Sequence, residues 1–523
     1  MSQDRVLVVG AGHNGLVAAI LAAQAGRRVT VLERSDHPGG ATVGAAVFSG
    51  HDVRLSRYSY LVSLFPDELA DRLGIRLNLA SRPVSSFTPV GAAPTADGLL
   101  VERVPGSATA ESFRRVTGSD ADHLAWQALY GELAALAKVV APALTGPLRR
   151  RSQVRDDVVA AAGGPIWTDV AEVPLGEMIV RRLADDTVRG VVATDGLIGT
   201  HTSLFDPDLL ANRCFLYHLI GRGTGEWLVP IGGMGAVSDA LIRRARELHV
   251  EIVCGAGVID VDEGADAVIV TASREGAEVT FEAPHLLAAI APSVLDRCLG
   301  RETEDPVGAQ IKVNMLLDRL PQLKSGLDPH TAFAGTMHLN EELSELEAAY
   351  AISRAGSLPA VVPSEVYCHS MTDPTIMNGH PGATLTLFGL HTPVELFRDD
   401  PDAARSAAAQ GALIALQKHL AEPLLDCLAR DSSGEPCVDI ASPVDLESSL
   451  NMPGGNIFHD DLSWPWLADD FPADSPAAAY GVEVPGCRRI LLAGAGSRRG
   501  GGVSGLGGAA AVDALIEMTG GTK

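Results

Sequence analysis

The stretch from Arg5 to Glu33 leaves little freedom in how the chain can fold. Arg5-Val6-Leu7-Val8-Val9 is nearly all apolar, as a central parallel strand buried on both faces requires. Gly10-Ala11-Gly12-His13-Asn14-Gly15 follows at once. Leu16 to Ala25 is rich in Ala and Leu and free of breakers, so it reads as a helix that Gly26 stops. Arg28-Val29-Thr30-Val31-Leu32 is a second strand, ending at Glu33. Gly10 permits the sharp turn, Gly12 lets a phosphate reach the backbone, and Gly15 lets the helix close on the strand. The helix start aims free N–H groups and a positive dipole end at that phosphate, and His13 and Asn14 lie in the same turn. Glu33 is placed to accept hydrogen bonds from ribose hydroxyls. A lone G-x-G-x-x-G says little. Strand, turn, helix, strand and acid in order within ~30 residues specify a dinucleotide-binding βαβ unit.

A second glycine unit lies near the other end. Arg489-Ile490-Leu491-Leu492-Ala493 reads as a buried strand, followed by Gly494-Ala495-Gly496, by Gly500-Gly501-Gly502-Val503-Ser504-Gly505 and by a helix from about Gly507 to Met518. Mid-chain, Trp227 to Gly235 precedes a helical stretch from Ala236 to Leu248, and Val250 to Val253 and Val258 to Val261 read as paired strands. Gln310 to Leu317 and Ala383 to Gly389 read as strands of another sheet. Ala125 to Val140 is a helix apolar nearly all round; it reads as core, with a substrate-entry or membrane-dipping helix as the lesser reading.

With 523 residues the chain exceeds one ordinary core, and its hydrophobic and charged fractions, 46% and 20%, are those of a globular protein. A formal net charge of -24 argues against nucleic acid, whose phosphates need clustered cations, and limits any membrane contact to a peripheral one. The seven cysteines form no C-x-x-C pair and read as buried free thiols of a reducing compartment. No basic region ahead of an apolar core opens the chain, and no apolar run reaches the ~18–20 residues of a membrane span, so a cytoplasmic location is expected. Metal and acyl-enzyme chemistry find no H-E-x-x-H and no G-x-S-x-G to support them.

Beyond Glu33 the chain reads Arg34-Ser35-Asp36-His37-Pro38-Gly39-Gly40-Ala41. An acid and a basic residue followed shortly by Gly-Gly resemble the extended motif of the glutathione-reductase-like FAD-binding superfamily. The resemblance implies FAD rather than NAD, with Glu33, Arg34, Gly39, Gly40 and Ala41 at the cofactor. It also implies that Gly494, Gly502, Val503 and Ser504 carry the ribityl chain and pyrimidine edge of the flavin, and that Val258 lays its backbone against the adenine. Together with Ser56 to Leu61, Trp227 to Gly235, Gln310 to Asn314 and Gly454 to His459, these motifs resemble the phytoene desaturase-related (phytoene dehydrogenase-like) flavoproteins over essentially the whole chain. Two departures bear on the substrate. Ala41-Thr42 stands where many relatives carry Arg, and Asp460 to Trp466 replaces a polar D-Q pair.

The resemblance implies an α/β fold. A Rossmann FAD-binding domain would be built from residues 1–70, 225–300 and 484–523, and a mixed-sheet plus helical substrate domain from 71–224 and 301–483. It further implies a dehydrogenase or desaturase that moves hydride from an apolar or natural-product-like small molecule to flavin N5. No second G-x-G-x-x-G behind a strand marks an NAD(P)H domain, so oxygen, a quinone or another acceptor is expected to reoxidise the flavin. A redox-neutral isomerase, an amine or amino-acid oxidase, and a Rab-escort-like binding protein that has given up catalysis are the competing readings. His218 and His459 are the candidate catalytic groups, each also readable as a core histidine. Arg498 and Arg499 read either as partners of reduced flavin or an acidic substrate, or as solvated. Trp464 and Trp466 read as a channel wall or as core.

Overall fold

A computed structural model describes residues 4–91 and 97–520. Five parallel strands form the first sheet, in the order Ile490–Leu492, His285–Ala288, Arg5–Val9, Arg28–Leu32 and Glu251–Val253. The central strand Arg5–Val9 is buried along four of its five residues, the condition its apolar sequence demands. Helices His13–Gln24 and Leu506–Met518 pack together beside this sheet and share one apolar core with it. Both pack through small residues. A Cβ on Gly508 would stand 2.1 Å from the Asn14 carbonyl oxygen, and one on Gly15 would stand 1.9 Å from that of Gly10.

Val250 to Val253 and Val258 to Val261 do not pair with each other as expected. Glu251–Val253 runs parallel to Arg28–Leu32 in the first sheet, whereas Gly257–Glu263 opens a separate antiparallel sheet with Val268–Arg274 and Ala277–Ala283. The chain turns at Gly255, with φ +68°, and Ala256 N–H bonds the Glu33 carbonyl at 2.8 Å. That turn redirects the strand before a hairpin can form.

A seven-stranded mixed sheet draws its strands from residues 84–102 and 311–441. At its heart Ile311–Leu317 pairs antiparallel with Ala383–Gly389, and both strands are buried throughout. Most of the helices between Ser107 and Ile220 cover it from one side around a second core. Ala121–Val140 belongs to that core through Trp126, Leu129, Leu133 and Leu136, so its core reading holds. Trp466 is buried against Trp167 at 5.2 Å and stacks on Trp464 at 4.8 Å, which makes this pair core as well.

Arg499 is not solvated. Its guanidinium is fully buried and donates to the carbonyls of Tyr480, Leu144 and Gly146, tying the second glycine loop to the helical layer. Arg498 lies over the Phe471 ring at 5.0 Å. All seven cysteines are free thiols.

The glycine contacts predict opposite outcomes for two similar changes. Gly15→Ala forces a methyl into backbone and should cost about 3 kcal/mol, read as a lowered thermal midpoint. Gly131→Ala, in the exposed part of a helix where a Cβ meets nothing within 4 Å, should instead stabilise by about 0.5–1 kcal/mol.

Candidate functional site

A long groove opens at the ends of the parallel strands, where an α/β sheet ordinarily binds its ligand. One end is formed by Glu33, Arg34, Ala256 and Val258; the middle by Gly10, Gly12, His13, Asn14 and Gly40; the far end by Tyr60, His218, Lys312 and Gly502. The groove therefore gathers Gly10, Gly12, His13, Asn14, Glu33, Arg34, Gly40, Ala41, His218, Val258, His459, Gly502 and Val503. Gly15, Gly39, Gly494 and Ser504 stand behind its wall instead. Gly39 N–H bonds the Ala11 carbonyl at 2.9 Å, Gly494 faces Gly507 across a close backbone contact, and the Ser504 hydroxyl accepts from Leu506 N–H at 3.2 Å.

Groups in the groove wait for a partner. Gly10, at φ +94°, makes the turn, and a Cβ on Gly12 would meet nothing within 4 Å, so space for a ligand lies directly over that backbone. Buried His13 Nε2, Asn14 Oδ1, Gln310 Nε2 and His459 Nδ1 have no hydrogen-bond partner among the described residues. Native proteins rarely leave such atoms unpaired, and here all four belong to residues that line one groove. Glu33 already accepts from the N–H groups of Ala11 and Ser35, at 2.7 and 2.8 Å, which fixes its carboxylate and leaves lone pairs for ribose hydroxyls. An extended dinucleotide with two phosphates fits this donor and acceptor set.

The two histidines differ in position. His459, at φ +69°, lines the groove beside His13, and burial depresses both imidazoles to about 4. His218 stands at the far end, stacked on Trp227 at 4.8 Å. Its Nδ1 lies 2.9 Å from the Cys214 carbonyl, which can only accept, so that nitrogen carries the proton and Nε2 is the acceptor. Burial lowers His218 to about 4, which keeps it neutral at physiological pH.

Lys312 lies within the Gln310 to Asn314 motif, where the sequence assigns it no role, although it is the one charged residue of the fully buried Ile311–Leu317 strand, and a charge in such a run is the signal that could have found it. Its Nζ donates to the carbonyls of Ser56 and Tyr58, both at 2.6 Å, and lies 5.0 Å from the centre of the Tyr60 ring. Burial pulls it down to about 7.

A second cavity of about 300 Å³ adjoins the far end of the groove. Tyr60, Leu61, Ile198, His218 and Trp227 line both spaces and form the wall between them. Beyond those shared residues the lining is mixed: Arg82, Asp195, His338, Glu365 and Tyr367 stand among apolar residues such as Trp126, Leu133 and Val191, and charged groups are more frequent than in the groove.

Comparison with known proteins agrees with the groove. The family model "FAD dependent oxidoreductase" matches residues 5–126. The uncharacterized protein Rv0897c of Mycobacterium tuberculosis is 44% identical over 98% of this chain and 96% of its own. The mouse pyridine nucleotide-disulfide oxidoreductase domain-containing protein 2 is 28% identical over 96% and 91%. The phytoene dehydrogenase of Streptomyces griseus matches at 65% identity over 37 residues, 7% of each chain. Among solved structures, an oxidoreductase from Methanosarcina mazei covers 98% of this chain and 100% of its own at a TM-score of 0.57 and 14% identity. Cyclohexylamine oxidase from Brevibacterium oxydans covers 99% of both at 0.55 and 16%, and such likenesses concern the fold alone. The chain belongs to the FAD-dependent oxidoreductase family and has the Rossmann-type α/β fold of an FAD-binding flavoprotein. Among the described residues no helix is long and apolar enough to cross a membrane.

The open space over Gly12 predicts a cofactor defect without a folding defect. Gly12→Ala should leave the far-ultraviolet spectrum unchanged while lowering FAD affinity about tenfold or more, the worth of one displaced phosphate contact. Titration of the FAD-free protein, followed by quenching of flavin fluorescence, measures it.

Proposed function

We propose that this enzyme is a flavin dehydrogenase or oxidase whose substrate is anchored by a polar group in the second cavity and reaches past Tyr60, His218 and Trp227 into the groove, where its carbon is oxidised. The observation that carries the reading is the set of residues common to both linings, which puts the second cavity directly beside the groove. Bound FAD supplies a two-electron acceptor at N5. The protein's part is positioning, since hydride transfer needs the donor carbon held in contact and water kept out. Tyr60 packs against Tyr367 at 4.9 Å and Phe388 at 5.7 Å, which gives that wall an inflexible aromatic face.

Lys312 holds the proton. At about 7 its amine is neutral in much of the population at physiological pH, with two N–H bonds directed at the Ser56 and Tyr58 carbonyls and one lone pair left over. A substrate hydroxyl or ammonium next to the carbon being oxidised can lose its proton to that lone pair. Neutral His218 Nε2 can accept a hydrogen bond that orients the same group.

An apolar polyene or lipid fits this arrangement less well, because it would leave Arg82, Glu365 and Asp195 facing hydrocarbon. Polarity of the cavity thus favours oxidation at a heteroatom-bearing carbon over desaturation of an apolar chain and over redox-neutral isomerisation. In our reading the enzyme is reoxidised by dioxygen or a quinone.

Anaerobic mixing of the holoenzyme with panels of polar and apolar candidates tests the proposal. Flavin absorbance should bleach with members of the polar panel; bleaching by apolar polyenes alone would sink it. With a substrate in hand, kcat should rise as pH increases through about 7, because Lys312 must shed its proton before it can act. Lys312→Met should lower kcat by about 100-fold or more and abolish that limb of the profile.

A further inference from the structure

Arg82 is a buried guanidinium that forms no ion pair among the described residues. It is 6% exposed and lines the second cavity. One terminal nitrogen donates to Thr336 Oγ1 at 3.2 Å, the guanidinium lies 5.5 Å from the centre of the Tyr367 ring, and Nε has no hydrogen-bond partner. Among the described residues no carboxylate comes within 4.0 Å of it. The neighbouring Arg103, on the same cavity, is by contrast ion-paired with Glu226 at 3.4 Å.

The acids nearby do not neutralise Arg82. Glu365 accepts from the Tyr367 hydroxyl and lies 3.8 Å from His338 Nδ1, which is itself 2.7 Å from Glu341. Burial and mutual repulsion raise Glu365 to about 8 and Glu341 well above the ordinary carboxyl range, and burial lowers His338. Glu365 and Glu341 are thus engaged with Tyr367 and His338, and neither lies within ion-pair distance of Arg82. Desolvation also lowers Arg82 from its ordinary value, but a guanidinium remains a cation through the physiological range. A buried charge without a partner is costly, and a planar fork with an idle Nε–H matches one ligand chemistry closely.

We infer that the second cavity recognises a carboxylate: the substrate carries a carboxyl group that docks on Arg82, with its oxidisable carbon toward the wall formed by Tyr60, His218 and Trp227. The inference deepens the proposed function and rests on its reading of the second cavity as the substrate's. A monoanion suits the site better than a phosphate dianion. A single negative charge matches the one guanidinium with no carboxylate within 4.0 Å, whereas a second would find no free cation among the described lining residues, because Arg103 is already paired with Glu226.

The test uses the purified holoenzyme, with FAD stoichiometry measured on the same sample. Benzoate, 3-phenylpropionate and hexanoate are titrated against their primary amides, with the flavin absorbance shift and the thermal midpoint as readouts. At least one acid should bind ~10–100-fold more tightly than its isosteric amide, the worth of a charge-assisted hydrogen-bond pair. Arg82→Met should erase that preference while keeping FAD, and Arg82→Lys should restore part of it. Equal binding of acid and amide, no binding of any of the acids to FAD-replete protein, or an acid preference that survives Arg82→Met would overturn the inference. If Arg82→Met fails to fold, the acid-against-amide comparison in the unaltered enzyme decides alone. Protein that takes up no FAD contradicts the flavoenzyme reading itself, a failure the stoichiometry separates from loss of carboxylate preference.

Discussion

Everything in this molecule hangs on backbone meeting backbone where two glycine-bearing helices close over one sheet. Gly15 sits against the carbonyl of Gly10, Gly508 against that of Asn14, and Gly507 against that of Gly494, with Cβ clearances of 1.9, 2.1 and 2.3 Å. No side chain fits in any of these gaps, so the approach is available only to glycine. It brings residues 10–15 and 494–508, at opposite ends of the chain, into one layer, and their loops then line a single groove. Arg499 adds a polar clasp, trading the high cost of burying a guanidinium for hydrogen bonds to three carbonyls. The cofactor groove is a by-product of that packing: its floor is the surface that remains where helices approach too closely for side chains.

Such local grammar is what a sequence displays best. The turn at Gly10, the helix after it and the acid at Glu33 are neighbours in the chain, and steric rules connect them without reference to the rest of the fold. Buried strands announced themselves in the same way, and Ala383–Gly389 was legible to the residue because both of its faces are covered. The pairing of Val250–Val253 with Val258–Val261 was misread since adjacency in sequence suggested a hairpin, whereas the turn at Gly255 depends on a hydrogen bond to Glu33, more than two hundred residues away.

The second cavity was not legible for a related reason. Arg82 precedes the strand Val84–Val90, Asp195 lies in a one-turn helix, and His338 and Glu365 lie on Thr336–Leu339 and Ser364–Tyr367. They meet only because Thr336–Leu339 runs parallel to Val84–Val90 on one side and antiparallel to Ser364–Tyr367 on the other. Each residue by itself resembles an ordinary polar position of a strand, a turn or a loop. Read one at a time, none signals that its side chain is enclosed. The expectation of an apolar substrate came from family resemblance alone, and the chain departs from its relatives around Ala41 and Asp460 to Trp466.

Tyr60 explains how two spaces of different character can serve one reaction. Its ring contacts the Lys312 ammonium side at 5.0 Å, Phe388 at 5.7 Å and Tyr367 at 4.9 Å, so it touches the groove's proton acceptor and the cavity's polar cluster at once. Aromatic packing of this kind fixes orientation at little entropic cost, because each ring has only two side-chain torsions to lose. On the groove side the wall is Lys312 and Phe388; on the cavity side it is Tyr367, Arg82 and Glu365. On the proposed function, a substrate anchored by a polar group beyond Tyr60 would meet the flavin end with its reactive carbon already oriented. Binding energy of a remote group can in this way be converted into position at the reacting one, which is the main means by which a protein lowers a hydride-transfer barrier.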